Sequence, residues 1–122
     1  MNTKKNKMMA YVFEKVESIL ETEYTDGFRS LARSFPSMIQ KNGLNVAIIY
    51  LYSSCKNRND EYALYLKIIE DRFVPEKDES KQKLLNKLVN MDSSAYRMFA
   101  NEIMDLCLWI KRFAEGMISK NG

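Results

Sequence analysis

Histidine is absent from this chain of 122 residues, and glycine, proline and cysteine are scarce, at four, two and two. The missing histidine removes the commonest general base and the commonest metal ligand together. So few glycines and prolines cannot supply the turns of an all-β fold, which recur every ~8–12 residues, so helices joined by short connections fit better. Cys55 and Cys107 each sit in an apolar stretch with no second cysteine nearby, which excludes a CxxC site and predicts two buried free thiols in a reducing compartment. Long apolar runs are also lacking. The longest, Leu44 to Tyr52, already contains Asn45 and falls well short of the ~20 residues that span a bilayer. Lys4, Lys5 and Lys7 precede a stretch broken by Glu14, Lys15 and Glu17, which a secretory segment does not tolerate. The expectation is a cytoplasmic protein with no membrane association.

Neither sign of charge dominates: nineteen Lys and Arg face sixteen Asp and Glu, for a net charge of +3. That excess permits nucleic-acid binding without requiring it, because the distribution of charge matters more than its sum. Hydrophobic residues at 46% and charged residues at 29% describe an ordinary folded globule with material for a core. One all-α domain over residues 1–122 is expected, with residues 1–7 as a flexible basic tail.

Apolar residues recur at helical spacing along most of the chain. Met9, Val12, Phe13, Val16, Ile19 and Leu20 predict a first amphipathic helix that ends before Thr25-Asp26-Gly27. Phe28, Leu31, Ala32, Phe35, Met38 and Ile39 predict a second, kinked rather than stopped at Pro36 by the missing backbone donor. Gly43 after Asn42 is placed to close that helix in the left-handed conformation. Leu44 to Cys55 is apolar on every side and reads as a central helix covered by its neighbours. A polar turn, Lys56 to Asn59, leads to a helix capped by Asn59 or Asp60, with Tyr62, Tyr65, Leu66, Ile69 and Phe73 inward. A linker from Val74 to Ser80 precedes a short helix carrying Leu84, Leu85, Leu88 and Val89. The last helix is long, starting near Asp92 or Ser93 and reaching about Ser119, with Tyr96, Phe99, Ile103, Leu106, Ile110, Phe113 and Met117 aligned. The predicted architecture is a bundle of five to six helices.

A reaction centre needs acids, bases or nucleophiles converging in a pocket, and no base partner stands out for Ser53, Ser54 or Cys55. Glu14, Glu17, Glu21 and Glu23 read as the solvent face of the first helix. Glu102 and Asp105 are expected to pair with Lys111 or Arg112. Phosphate-cradling glycine loops and zinc spacings are missing. The pattern therefore predicts no enzyme, no cofactor and no metal.

The positive residues are better organised. Arg29 and Arg33 lie one turn apart, opposite the apolar face of their helix, with Lys41 beside the same stripe. Arg97, Lys111 and Arg112 all miss the apolar stripe of the last helix. Cations on a rigid helix can follow a phosphate backbone without reading bases, although pairs such as Arg112 with Glu115 would consume them locally. Trp109 stands beside the stripe, either packed under another helix or anchoring a partner subunit. Met104 and Leu108 also fall outside it, which predicts burial of this helix on two sides.

Two segments carry a resemblance. Phe35-Pro36-Ser37-Met38-Ile39-Gln40-Lys41-Asn42-Gly43-Leu44 resembles the proline, Met-Ile and Asn-Gly-Leu signature of the small helical subunit of the Cmr (type III-B CRISPR) complex. Tyr96-Arg97, followed by Trp109 to Gly116, resembles that family's C-terminal block. Phe35 and Ile110 replace the usual leucines and keep their apolar bulk. The resemblance implies an all-helical, non-catalytic subunit. Copies of it would stack as a minor filament beside other RAMP-module subunits and help bind target RNA and the guide–target duplex. By motif position it puts Arg97, Lys111 and Arg112 first as RNA or subunit contacts; Arg29, Arg33 and Lys41 follow from helix geometry alone. The alternatives are a helical protein–protein adaptor that touches no RNA, the type III-A small-subunit equivalent among them, and an enzyme.

Overall fold

The computed structural model describes residues 3–119. Among these the regular elements are six α-helices and no strand: α1 (Lys4–Ile19), α2 (Thr25–Asn42), α3 (Leu44–Ser54), α4 (Glu61–Phe73), α5 (Lys83–Val89) and α6 (Ser93–Met117). The all-α bundle with a long C-terminal helix is therefore what the periodicity predicts. Three helices start on side-chain caps, where an oxygen accepts from an otherwise unpaired backbone N–H. Thr3 Oγ1 accepts from the Asn6 N–H at 3.1 Å, Asp60 Oδ1 from the Ala63 N–H at 2.9 Å, and Asp92 Oδ1 from the Ala95 N–H at 2.8 Å.

Several boundaries differ from expectation. The Thr3 cap starts α1 at Lys4, so Lys4, Lys5 and Lys7 are helical rather than part of a basic tail; residues 1 and 2 of that tail lie outside the described residues. Thr25, Asp26 and Gly27 do not separate two helices but form the first turn of α2, where the Phe28 N–H donates to the Tyr24 carbonyl at 2.8 Å. At Gly27 the Glu61 side chain at the head of α4 lies where a Cβ would sit, and it would have to swing aside for a larger residue. Through Pro36 the helix continues, with the ring buried in the core.

Gly43 joins α2 to α3 in a single residue. Its N–H donates to the Ile39 carbonyl at 2.8 Å while its own carbonyl accepts from the Ala47 N–H at 3.2 Å. The expected left-handed cap does not form: φ is +86° but ψ is 158°. That region is open essentially to glycine alone, and the extended ψ lets α3 leave directly instead of after a loop.

α6 packs against α1 and α2. Beyond them, α2 meets α3 and α4, and α5 closes against α3 and α4. The interior is filled by Val12 and Val16 of α1, Phe28 and Phe35 of α2, Ile48 and Leu51 of α3, Tyr65 and Ile69 of α4, Leu84 of α5, and Ile103, Leu106 and Ile110 of α6. Polar ties fix the layers. Tyr11 Oη donates to the Ile68 carbonyl at 2.6 Å, and Lys15 pairs with Asp71 at 3.1 Å, joining α1 to α4. Tyr52 Oη donates to Glu70 at 2.7 Å and accepts from the Leu84 N–H at 3.1 Å, joining α3, α4 and α5 at one atom. Lys87 Nζ donates to the Phe73 carbonyl at 2.8 Å, tying α5 to the end of α4.

α3 is not central. Only Leu44, Ala47, Ile48 and Leu51 are buried, while Val46 and Ile49 stay 53% and 48% exposed. The apolar residues around its circumference outnumber the partners around it, because α5 has two turns and covers only one side. Val89 of α5 is 65% exposed. Cys107 is fully enclosed, and burial pushes its thiol up to about 12, against a small opposing pull from the Tyr65 hydroxyl. Cys55, expected buried, is only half-buried, with Sγ donating to the Leu51 carbonyl at 3.1 Å.

Candidate nucleic-acid interface

α6 presents the cations that its sequence places off the core stripe. At ~100° per residue, Arg97, Lys111 and Arg112 fall within an arc of about 100°, opposite the buried Ile103, Leu106 and Ile110, and span about 22 Å of helix axis. Arg97 and Arg112 are exposed and Lys111 is half-buried. The acids expected to neutralise them do not. Among the described residues the single salt bridge is Lys15–Asp71. Neither Glu102, Asp105 nor Glu115 pairs with Lys111 or Arg112, so none of the three cations is neutralised by an acid among the described residues.

Two open grooves flank this face. Near the start of α6 one of about 690 Å³ is lined by Arg97 and Tyr96 together with Asn45 of α3 and Val89 of α5. It sets Arg97 beside the residue that follows the Asn42-Gly43-Leu44 turn, so the helix bundle brings the two distinctive stretches of the sequence to one surface. Near the end of α6 a second groove of about 430 Å³ is lined by Trp109 and Asp105 with Lys4, Lys5 and Met8 of α1.

Trp109 takes the packing role in part. It is half-buried against the core, with its ring centroid 6.1 Å from that of Phe113, whose edge meets Phe13 at 6.2 Å. Its ring also carries two cations, the Arg112 guanidinium at 4.9 Å and the Lys5 ammonium at 5.7 Å, an arrangement in which the negative ring face attracts each positive group. Lys5 is the residue that sequence reasoning missed. Assigned to a tail, it belongs to the first turns of α1, and only the α1–α6 packing reveals it as part of this patch. Met104 and Leu108 are half-buried and Met98 is 64% exposed, so the outward side of α6 is partly apolar and, among the described residues, not covered by another helix.

The α2 cations divide. Arg29 is spent on the fold: its Nε donates to the Ile118 carbonyl at 3.2 Å, fastening α2 to the end of α6. Arg33 and Lys41 are exposed, make no side-chain hydrogen bond or ion pair among the described residues, and line neither of the two grooves. Thus Arg97, Lys111 and Arg112 share one helix face, Trp109 and Lys5 border it on the Arg112 side, and the α2 residues do not extend it.

No group of three or more metal-ligating side chains occurs among the described residues. What the face can do chemically is bind anions through unpaired cations beside an aromatic ring. No helix among these residues is long and apolar enough to cross a membrane.

Comparison with known proteins agrees with the fold. The crystal structure of a CRISPR-associated Cmr5 family protein from Thermus thermophilus superposes with a TM-score of 0.84 at 19% identity, covering 98% of this chain and 100% of that one. No curated protein matches the sequence. The family model for the CRISPR-associated protein Cas_Cmr5 matches residues 4–117, from the first turn of α1 to the last residue of α6. The chain therefore belongs to the Cmr5 family, the small subunit of the type III-B CRISPR module.

Proposed function

We propose that this subunit is a non-catalytic, RNA-binding component of its complex. In this reading it lays the outward face of α6 along the phosphates of target RNA or of the guide–target duplex, in antiviral defence in the cytoplasm. Copies of the chain stack beside one another and against the larger RAMP-module subunits. The observation that carries the reading is that Arg97, Lys111 and Arg112 make no ion pair among the described residues, although Glu115 stands one turn from Lys111 and Arg112 on the same helix. Cations held on a rigid rod without acid partners give up no pairing energy on meeting phosphate, and they gain from displaced counterions.

The runner-up is an adaptor that binds protein and no RNA. Exposed Val46, Ile49, Val89 and Met98 favour protein contact, and such contact is equally required by stacking. Charge reversal separates the two. With Arg97, Lys111 and Arg112 changed together to Glu, the complex still assembles and its affinity for target RNA falls about tenfold or more at moderate salt. Assembly with unaltered affinity leaves the adaptor reading in place.

A further inference from the structure

On the side of the bundle built by α3, α4 and α5 lies a groove of about 480 Å³ that the α6 cations do not reach. Its rim holds four positive side chains from three elements: Lys56 and Arg58 of the turn after α3, Lys67 of α4, and Lys83 at the start of α5. Two carboxylates share the lining, and both are occupied. Glu70 accepts from Tyr52 Oη at 2.7 Å, and Asp71 pairs with Lys15 at 3.1 Å. Lys83 also feels the charge of Asp78 on the neighbouring loop. Among the described residues none of Lys56, Arg58 and Lys67 has a side-chain hydrogen bond or ion pair. Four cations thus converge where the local acids are already engaged.

The turn that presents two of them is held in place. Asp60 Oδ2 accepts from the backbone N–H of Lys56 at 2.6 Å and of Asn57 at 3.4 Å, while Oδ1 caps α4. Asn57 Oδ1 accepts from the Asn59 N–H at 2.7 Å. Lys56 and Arg58 are therefore carried on an ordered backbone, which lowers the entropy lost when a ligand engages them.

We propose that this groove is a second phosphate-binding site, which takes consecutive phosphates of a single nucleic-acid strand. A small nucleotide calls for an enclosed pocket lined mainly by apolar and aromatic side chains. This groove is open, and most of its lining is charged or polar. An open channel with distributed cations matches a strand instead. That the strand is RNA rests on the function proposed above; the groove's charge does not.

The test is a titration of the full chain, isotope-labelled, with a short oligouridylate at low salt, followed residue by residue by NMR. Saturable shifts are expected at Lys56, Asn57, Arg58, Lys67 and Lys83, separately from any at Arg97, Lys111 and the Trp109 indole. With Arg58, Lys67 and Lys83 changed to Glu, the groove shifts disappear while the folded spectrum remains. In the unaltered chain the affinity at the groove should fall with salt at a slope of about 2–3 in log K against log salt, at ~0.7 per phosphate of a single strand for three to four contacts. Affinity at the groove should rise from dinucleotide to longer oligomer. Absence of groove shifts at millimolar oligomer overturns the proposal, as does inorganic phosphate binding there as tightly as the oligomer. Shifts at the groove without shifts on α6 would instead overturn the α6 reading and leave this one standing.

Discussion

The carboxylate of Asp60 is 3% exposed, and enclosure alone would raise its pKa. The backbone N–H groups of Ala63, Lys56, Asn57 and Tyr62 outweigh that cost and hold it below its ordinary 3.8. Because the folded value is the lower one, the stability from its charge is complete above 3.8 and is lost as pH falls through the folded value. Asp60→Ala removes a helix cap and strands a buried N–H, so a loss of about 2–3 kcal/mol is expected in urea denaturation at neutral pH. Between wild type and Asp60→Asn the difference should shrink on acidification. Tyr65 points the other way. Its hydroxyl is the one buried side-chain polar atom without a well-formed hydrogen bond among the described residues, with only the Cys107 thiol beside it. Tyr65→Phe should therefore leave stability unchanged or raise it by up to about 1 kcal/mol; a loss above about 2 kcal/mol would mean the thiol contact is a strong one.

At the scale of elements, two glycines predict opposite signs. Gly43 holds φ +86° with open space where a methyl group would sit, so Gly43→Ala costs about 1–3 kcal/mol through backbone strain alone. Gly116 lies within α6, also with open space around it, and Gly116→Ala should gain up to about 1 kcal/mol. Paired thermal melts of the two variants check both signs at once. Helix number and core faces were legible because apolar periodicity survives any arrangement of neighbours: the stripe of α6 is buried at Phe99, Ile103, Leu106 and Ile110 as read. The boundaries at Lys4 and Thr25 were less legible. Lysines in a first turn look like a tail until the Thr3 cap is seen, and Asp26-Gly27 looks like a break until Glu61 is found against it. α3 was misjudged because an apolar circumference says how much surface could be buried, not how many neighbours exist to bury it.

Across the whole molecule, charge is arranged by tertiary packing that one-dimensional spacing does not contain. Spacing placed Arg97, Lys111 and Arg112 on one face of α6, but it could not show that Arg29 fastens the Ile118 carbonyl or that Lys5 reaches Trp109 from another helix. The Lys56–Arg58 turn, Lys67 and Lys83 lie apart in sequence with no shared period, and they converge through the packing of α3, α4 and α5 that Tyr52 ties together. Changing Trp109 to Ala removes the ring on which Lys5 and Arg112 rest; a stability loss of about 2–4 kcal/mol is expected for a half-buried tryptophan, together with weaker RNA binding as both cations lose their positions. Trp109→Phe should restore most of the stability. The most direct measurement of the central claim is the salt dependence of target-RNA affinity for the complex assembled with and without this subunit. If its unpaired cations lie on RNA phosphates, the slope of log K against log salt is steeper with the subunit by about 2 or more, at ~0.7–0.9 per phosphate for three contacts. Identical slopes would contradict the account.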